Sequence, residues 1–153
     1  MYVKCGSLDN AREVFEDLYG RDVVSWNSLI NGYAQLKENE NVFDFFKKML
    51  GEGMKPDAVT FVIVLSVCSQ AYMVEKSQTY FEAMSEEYGI RPMLEHYSCM
   101  TDVLIHVGRI DEAIAMVRNI QQPHLVDWHK ILRACKHLGN SELGRLAFQH
   151  AIL

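Results

Sequence analysis

The feature that most constrains this chain is a pattern that recurs four times with the same internal spacing. In each copy an aromatic residue stands eleven positions before a residue at which the helical periodicity breaks. The four aromatic and break pairs are Trp26 and Lys37, Phe61 and Tyr72, Tyr97 and Gly108, and Trp128 and Gly139. A recurrence of this kind indicates a repeat architecture, in which each unit buries its apolar face against its neighbours.

A second apolar segment follows each break with a spacing that is also constant. A small or slim residue stands five positions after the break, and apolar residues stand nine and twelve positions after it. The residues at five positions are Ala11, Val42, Ser77, Ala113 and Gly144, when Gly6 is taken as the break of a first, incomplete copy. Helical periodicity on both sides of a short break predicts an antiparallel pair of helices in each unit.

The incomplete first copy is expected to have one helix, at 8–18, with a face that no partner helix covers. Ser7 has a side chain that can cap the start of this helix. In the absence of the partner helix, we expect Val14 and Phe15 to be partly uncovered. We also expect the chain to begin in the middle of a repeat, because Met1 falls inside a helical segment.

The repeat lengths distinguish this chain from the commonest helical repeats. Counted between successive breaks, they are 31, 35, 36 and 31 residues, whereas tetratricopeptide repeats hold to a period of 34. The most informative segments are MYVKCGSLDNAREVFEDL, DVVSWNSLINGYAQ with GMKPD, VTFVIVLSVCSQ with YFEAMSEEYGIRP, and EHYSCMTDVLIHVGRIDEA. In these segments the chain resembles the pentatricopeptide repeat proteins of plants, in the subgroup that alternates short, standard and long units.

This resemblance implies an all-α fold, namely a right-handed α-solenoid of stacked helix-turn-helix repeats. It divides the chain into a truncated short repeat (1–22), a standard repeat (23–57), a long repeat (58–93), a short repeat (94–124) and a truncated helical pair (125–153). The last segment resembles the beginning of the C-terminal extension that is called the E region in this family.

The standard repeat contains the residues that the resemblance connects with RNA. Repeat proteins of this type bind single-stranded RNA at one base per repeat, through two or three side chains. The resemblance implies that the fifth and last residues of the repeat, Asn27 and Asp57, contact the base and that Val24, the second residue, packs against it. It further implies that this pair selects a pyrimidine, with uracil preferred over cytosine.

The residues themselves are compatible with this role and with a simpler one. Asn27 follows the core residue Trp26, so a helix turns it by about 100° toward another face. Its amide can both donate and accept, as contact with the Watson–Crick edge of a base requires. Without the resemblance, the simpler interpretation is that Asn27 faces solvent and that Asp57 ends a turn after Pro56.

The other repeats offer less. In the long repeat the corresponding residues are Val62 and Met93, whose side chains cannot hydrogen-bond a base edge. By resemblance, such long repeats are surfaces for accessory protein partners. In the short repeat the pair is Ser98 and His124; Ser98 is a weak candidate for RNA contact, and His124 departs from the usual Asp or Asn.

Nothing in the sequence indicates a metal, a cofactor or a catalytic centre. The four cysteines include no CxxC pair, and the six histidines form no HxE or HExxH motif. Cys68 and Cys135 stand seven positions after the aromatic residue of their repeats, which predicts that they are buried as small apolar side chains. Phosphate-binding loops and hydrolase motifs are also absent from the sequence.

The charge of the chain does not favour strong RNA binding. The formal net charge is −5, whereas RNA-binding proteins usually carry a basic groove. Four lysines, Lys47, Lys48, Lys55 and Lys76, are the candidates for part of such a groove. One base contact contributes only about 1 to 3 kcal/mol, so we expect a dissociation constant above micromolar for this chain.

Two functional classes follow from this sequence, and a third interpretation is open. The first is a monomeric, organellar RNA-binding factor, mitochondrial or chloroplastic, that specifies sites of cytidine-to-uridine editing. Its partners are single-stranded RNA, accessory editing proteins and a deaminase supplied in trans, because the zinc-binding HxE and CxxC motifs are absent. The second class is a helical scaffold for protein partners. The third interpretation is a truncated gene product without a function of its own.

Overall fold

The computed structural model describes residues 5–120, 128–137, 139, 141, 144–145 and 148–149, and all regular structure in this part of the chain is helical. The helices are α1 (Cys5–Asp17), α2 (Val23–Gln35), α3 (Asn39–Gly51), α4 (Ala58–Gln70), α5 (Val74–Glu86), α6 (Leu94–His106), α7 (Ile110–Arg118) and α8 (Trp128–His137). From α2 onward, each first helix is followed by a second helix that packs against it, in the pairs α2 with α3, α4 with α5, and α6 with α7. The predicted all-α stack of helical pairs is confirmed.

The breaks predicted within the pairs are the residues at which the first helices end. Lys37, Tyr72, Gly108 and Gly139 have positive φ angles of 59°, 57°, 80° and 68°. After Lys37, the backbone N–H of Glu38 bonds back to the carbonyl of Tyr33 at 3.0 Å. This is the Schellman arrangement, in which a residue in the left-handed conformation turns the chain and satisfies the last helical carbonyls.

The first helices form one layer of the stack. α4 packs against both α2 and α6, while α3 and α5 each contact the first helix of their own pair and that of the next pair. The apolar face predicted for α2 is confirmed, because Trp26, Leu29, Ile30 and Tyr33 are at most 5% exposed. Truncation of such a buried aromatic residue costs about 3 to 5 kcal/mol.

The start of the chain departs from the prediction. α1 begins at Cys5 and runs through Gly6 and Ser7, so Gly6 is not a break and Ser7 does not cap the helix. Val14 is 63% exposed, as predicted for an uncovered face. Phe15 is only 4% exposed, because Trp26 packs edge-on against its ring at 4.6 Å.

Two further predictions concern the ends of the chain and the cysteines. Met1 lies outside the described residues, as do residues 121–127. Cys68 and Cys135 are 0% and 1% exposed, which confirms their role as small core side chains. Burial raises the pKa of the Cys68 thiol to about 11, so this thiol is protonated and unreactive at neutral pH.

Candidate nucleic-acid interface

The candidate site lies where the N-terminal ends of α2 and α4 pack side by side. Asn27 is the fifth residue of α2, and Asp57 is the residue immediately before α4. The amide nitrogen Nδ2 of Asn27 donates a hydrogen bond to Oδ1 of Asp57 at 3.0 Å. The two side chains implied by the resemblance are therefore in direct contact, although 30 residues separate them along the chain.

Thr60 connects both members of this pair. Its backbone N–H donates to Oδ1 of Asp57 at 3.0 Å, and its hydroxyl oxygen accepts the backbone N–H of Asp57 at 3.0 Å. Asp57 and Thr60 thus form a capping box, which satisfies backbone donors at the start of α4. The hydroxyl also donates to Oδ1 of Asn27 at 2.6 Å. These contacts define the cluster Asn27, Asp57 and Thr60, which is called the seam triad below.

The seam triad leaves two kinds of atom for a ligand. Asn27 uses one Nδ2 hydrogen for Asp57 and its Oδ1 for Thr60, so its second N–H is not engaged by these bonds. Among the described residues, no side chain hydrogen-bonds Oδ2 of Asp57. The site therefore presents a donor next to an acceptor. Asn27 is only 7% exposed, so the interpretation that it simply faces solvent is wrong.

The hydrogen bonds of the seam triad keep Asp57 ionised. Partial burial raises the pKa of this carboxyl group, but the hydrogen bonds from the Thr60 backbone, the Asn27 amide and the Val59 backbone outweigh that effect. The net result is a pKa below the ordinary value of 3.8. At neutral pH the site therefore carries one negative charge that can accept a hydrogen bond.

Apolar side chains lie beside the seam triad. Val24, one turn before Asn27 on α2, is 65% exposed, and Val59, the second residue of α4, is 55% exposed. Val59 occupies the position of Val24 one repeat later, so the offset of 35 residues between the two repeats could have identified it. Both side chains can pack against the face of a planar ligand at the edge of the seam.

A groove lies between the same two helices, nearer their C-terminal ends. It has a volume of about 210 Å³ and is lined by the polar residues Asn31, Gln35, Ser66 and Gln70 and by the apolar residues Ala34, Ile63 and Val67. Lys37, in the turn after α2, also lines it. Amide and hydroxyl groups with one cation at the end can hydrogen-bond phosphate and sugar oxygens.

The lysines that were candidates for a basic groove do not line this one. Lys48 lies over the ring of Phe45 at 5.7 Å, and Lys76 lies over the ring of Phe43 at 3.5 Å. Both rings belong to α3, a second helix, so these two ammonium groups are on the other layer of the stack. Their role in a basic groove stays a prediction, and Lys37, which lines the groove between α2 and α4, was not singled out as a cation from the sequence.

The joint between 58–93 and 94–124 is built differently. Val62 is half-buried on α4 and Met93, immediately before α6, is 50% exposed. Between them stands His96, which is fully buried and occupies the position of Thr60 one repeat later. Its Nδ1 accepts the backbone N–H of Met93 at 2.9 Å, so its Nε2 carries the hydrogen that is donated to the carbonyl of Ala58 at 2.8 Å. This joint therefore has no polar pair that corresponds to Asn27 and Asp57.

The structure describes only one of the two residues named for the repeat 94–124. Ser98 is exposed on α6, whereas His124 lies outside the described residues, so the proposed role of Ser98 stays a prediction.

Asp22 was not singled out from the sequence, although it holds the last position of the first repeat. It caps α2 by accepting the backbone N–H of Ser25 at 2.8 Å and the Ser25 hydroxyl at 2.7 Å. The Ser25 hydroxyl and backbone lower the pKa of Asp22.

In the described part of the chain, no group of three or more His, Cys, Asp or Glu side chains could hold a metal ion. None of the helices that the structure describes has the length and hydropathy of a membrane span.

Sequence comparisons place these helices among known repeats. A model of the PPR repeat family matches residues 21–70, and a model of the PPR repeat matches residues 59–88. A mitochondrial pentatricopeptide repeat-containing protein of Arabidopsis thaliana is 42% identical over 99% of this chain and 20% of its own length. The chloroplastic pentatricopeptide repeat-containing protein CRR2 of the same plant is 41% identical over 96% of this chain and 22% of its own. The chain thus spans about a fifth of the length of such relatives.

Solved structures show the same fold at lower identity. The pentatricopeptide repeat protein PPR10 from maize has a TM-score of 0.79 and 17% identity, over 97% of this chain and 22% of that one. PPR10 in complex with an 18-nucleotide psaJ RNA element has a TM-score of 0.74 and 22% identity, over 95% and 22% of the two chains. The PPR domain of Arabidopsis protein-only RNase P 1, in complex with tRNA, has a TM-score of 0.76 and 17% identity, over 96% and 81%.

Proposed function

Because this chain belongs to the plant pentatricopeptide repeat proteins, we propose that it binds single-stranded RNA and selects a base with the seam between α2 and α4. One observation carries this proposal. The fifth and last residues of the repeat 23–57 are hydrogen-bonded to each other, at 3.0 Å, and one amide N–H of Asn27 beside this carboxylate is left unengaged by the bonds to Asp57 and Thr60. The complex of the structural neighbour PPR10 with an 18-nucleotide RNA element supports this class of ligand.

The proposed contact uses the edge and the face of one base. The unengaged N–H of Asn27 donates to a carbonyl oxygen or ring nitrogen of the base, and Oδ2 of Asp57 accepts a base N–H. Val24 and Val59 pack against the base from the sides. Uracil offers N3–H beside a carbonyl, and cytosine offers N4–H beside N3, so both pyrimidines satisfy the pair. The proposed preference for uracil over cytosine is therefore a modest one.

We extend the proposal to the biological role. The protein would act in mitochondria or chloroplasts and specify sites of cytidine-to-uridine editing, with the deaminase supplied in trans. Relatives named as mitochondrial and chloroplastic support the compartment. The editing role rests on the family resemblance of the repeats.

The binding test compares base preference rather than affinity alone. Short oligoribonucleotides that differ at one position are titrated into the chain while side-chain and backbone signals are followed by NMR, because millimolar to micromolar binding is measurable in this way. We expect Asn27→Thr to change the ratio of uridine to cytidine affinity and Asn41→Thr, on the second helix α3, to leave it unchanged. The proposal fails if the parent chain does not distinguish any of the bases.

A second candidate function has its own supporting observation. The long repeat has Val62, which is half-buried, and Met93, which is 50% exposed, where a base-contacting repeat would present polar groups. Exposed apolar side chains on the layer of first helices suit an apolar segment of an accessory protein. Methyl signals of Met93 would then shift on addition of an editing partner and not on addition of RNA. Shifts with RNA alone would exclude this role.

A further inference from the structure

We infer that Thr60 is a positioning residue, whose hydroxyl fixes the orientation of the Asn27 amide and thereby decides which atoms the repeat 23–57 presents to a base. This inference rests on the proposed RNA-binding function and adds to it a third side chain that does not touch the ligand. Thr60 is fully buried, so it can act only through Asn27 and Asp57.

The orientation of an amide is set by its partners, since its oxygen and nitrogen have nearly the same shape. Asp57 accepts at Oδ1 and so attracts Nδ2 of Asn27, but this single bond at 3.0 Å still lets the amide plane turn about it. Thr60 holds the other end, with its hydroxyl 2.6 Å from Oδ1 of Asn27. Bonds at both ends fix the plane and therefore the direction of the remaining N–H.

The direction of the Thr60 hydrogen is itself determined by the capping box. The hydroxyl oxygen accepts the backbone N–H of Asp57 at 3.0 Å, which leaves the hydroxyl hydrogen to be donated elsewhere. Oδ1 of Asn27, at 2.6 Å, is closer than Oδ1 of Asp57, at 3.0 Å. Since a hydroxyl has one hydrogen, the shorter contact to Asn27 takes it. The start of α4 thus transmits its geometry to a side chain on α2.

The same position in the other repeats supports a division between two kinds of joint. Ser25 donates its hydroxyl to the last residue of the preceding repeat, Asp22, at 2.7 Å. His96 instead bonds to two backbone groups, the Met93 N–H and the Ala58 carbonyl, and engages neither side chain of the pair. A hydroxyl at this position hydrogen-bonds a side chain, whereas the imidazole hydrogen-bonds two backbone groups.

The test compares Thr60→Val, which has the same shape without the hydroxyl, with Thr60→Ser, which keeps it. Thr101→Val is the matched control, because the hydroxyl of that buried threonine bonds to the carbonyl of Tyr97 in its own helix. In the free chain, NMR of the Asn27 side-chain NH2 group reports the amide orientation through its shifts and its contacts to Asp57. In Thr60→Val we expect the Asn27 amide to change orientation rapidly, so that its NH2 shifts become averaged and its contacts to Asp57 weaken. In Thr60→Ser and Thr101→Val we expect the shifts and contacts of the parent.

Titration with the same oligonucleotides gives the second readout. Loss of the positioning bond should reduce the ratio of uridine to cytidine affinity about two- to tenfold, the effect of one neutral hydrogen bond. Recovery of the ratio by Thr60→Ser separates positioning from a general loss of stability.

The two readouts also separate this inference from the function on which it rests. An unchanged Asn27 signal or an unchanged base ratio in a folded Thr60→Val variant would overturn the positioning role. A parent chain that holds the Asn27 amide fixed but does not distinguish bases would overturn the proposed function and leave the positioning of the amide intact.

Discussion

Two successive joints of this stack both connect neighbouring first helices, but different side chains make the hydrogen bonds in each. At the first joint, between 23–57 and 58–93, Thr60 connects the side chains of Asn27 and Asp57. At the second joint, one repeat later, His96 connects the backbone of Met93 to that of Ala58. Both joints place their third residue in full burial, and both satisfy the start of the following first helix.

The second joint shows that two neighbouring helical pairs can stack without a polar pair such as Asn27 and Asp57. The second joint closes with an imidazole between two backbone groups, so no polar side chain is left for a ligand. The first joint satisfies the equivalent helix start with a carboxylate and a hydroxyl, and these bonds leave one N–H of Asn27 unengaged. The proposed base contact is thus an addition to the joint, and the following substitutions test whether the two joints can be separated or exchanged.

The largest effect is expected at the second joint. His96→Phe keeps a buried ring but leaves the Met93 N–H and the Ala58 carbonyl without this partner, so we expect a loss of about 2 to 4 kcal/mol in the free energy of unfolding. His137→Phe, at an exposed position on α8, is the control and should change stability by less than about 0.5 kcal/mol. Urea unfolding followed by circular dichroism measures both, and equal stabilities would show that the imidazole is dispensable.

A smaller loss is expected at the first joint. Thr60→Val removes one buried hydroxyl and leaves the Asp57 N–H and the Asn27 oxygen without it, which should cost about 1 to 3 kcal/mol. Thr101→Val should cost less, because the Tyr97 carbonyl that loses its hydroxyl donor lies inside a helix. The same urea experiment compares the two. A larger loss for Thr101→Val would mean that the seam triad does not contribute to stability.

The two joints should also differ in their response to acid. The pKa of Asp57 is lowered in the folded chain, so its contribution to stability is present above the ordinary value of 3.8 and is lost as the pH falls through the folded value. The stability of the parent minus that of Asp57→Asn should therefore fall between about pH 5 and pH 2. Asparagine caps helices about as well as aspartate, so the difference should be small at pH 7. A difference that does not vary with pH would contradict the lowered pKa.

The smallest effect is expected when the polar residues of the first joint are introduced at the second joint. Val62→Asn and Met93→Asp supply the pair, and His96→Thr supplies the hydroxyl that orients it. We expect the triple variant to gain a uridine preference of about two- to tenfold at the neighbouring nucleotide, measured by NMR titration. The double variant without His96→Thr should gain less. Equal preferences of the double and triple variants would show that the third residue has no part in specificity.

The fold was largely predictable because the repeat is written into the chain at constant offsets. The break residues follow their aromatic residues by eleven positions, and the structure ends each first helix there. The start of α1 was not predictable in the same way. Gly6 and Ser7 look like a turn and a cap, but the helix that contains them continues through both, because local preference is weak compared with packing.

The candidate site was predictable in part. The resemblance supplied Asn27 and Asp57, and their direct contact follows from the packing of α2 on α4. The role of Thr60 was not visible, since a threonine near a helix start is common and its partner on α2 stands 33 residues away. Lys37 was missed for a similar reason, because only the packing of the first helices brings this turn beside Gln70.

The constancy of the helices has a consequence for how such a chain tolerates length changes. The six helices α1 to α6 all contain 13 residues, and the turn inside each of the three pairs from α2 to α7 has three residues. The variation falls in the outer loops, 18–22, 52–57 and 87–93, which have different lengths. Asp57 belongs to such a loop but is anchored to the helix that follows it. An insertion beside Gly53 would therefore lengthen the loop and leave the contacts of Asp57, and with them the spacing of the two first helices, unchanged.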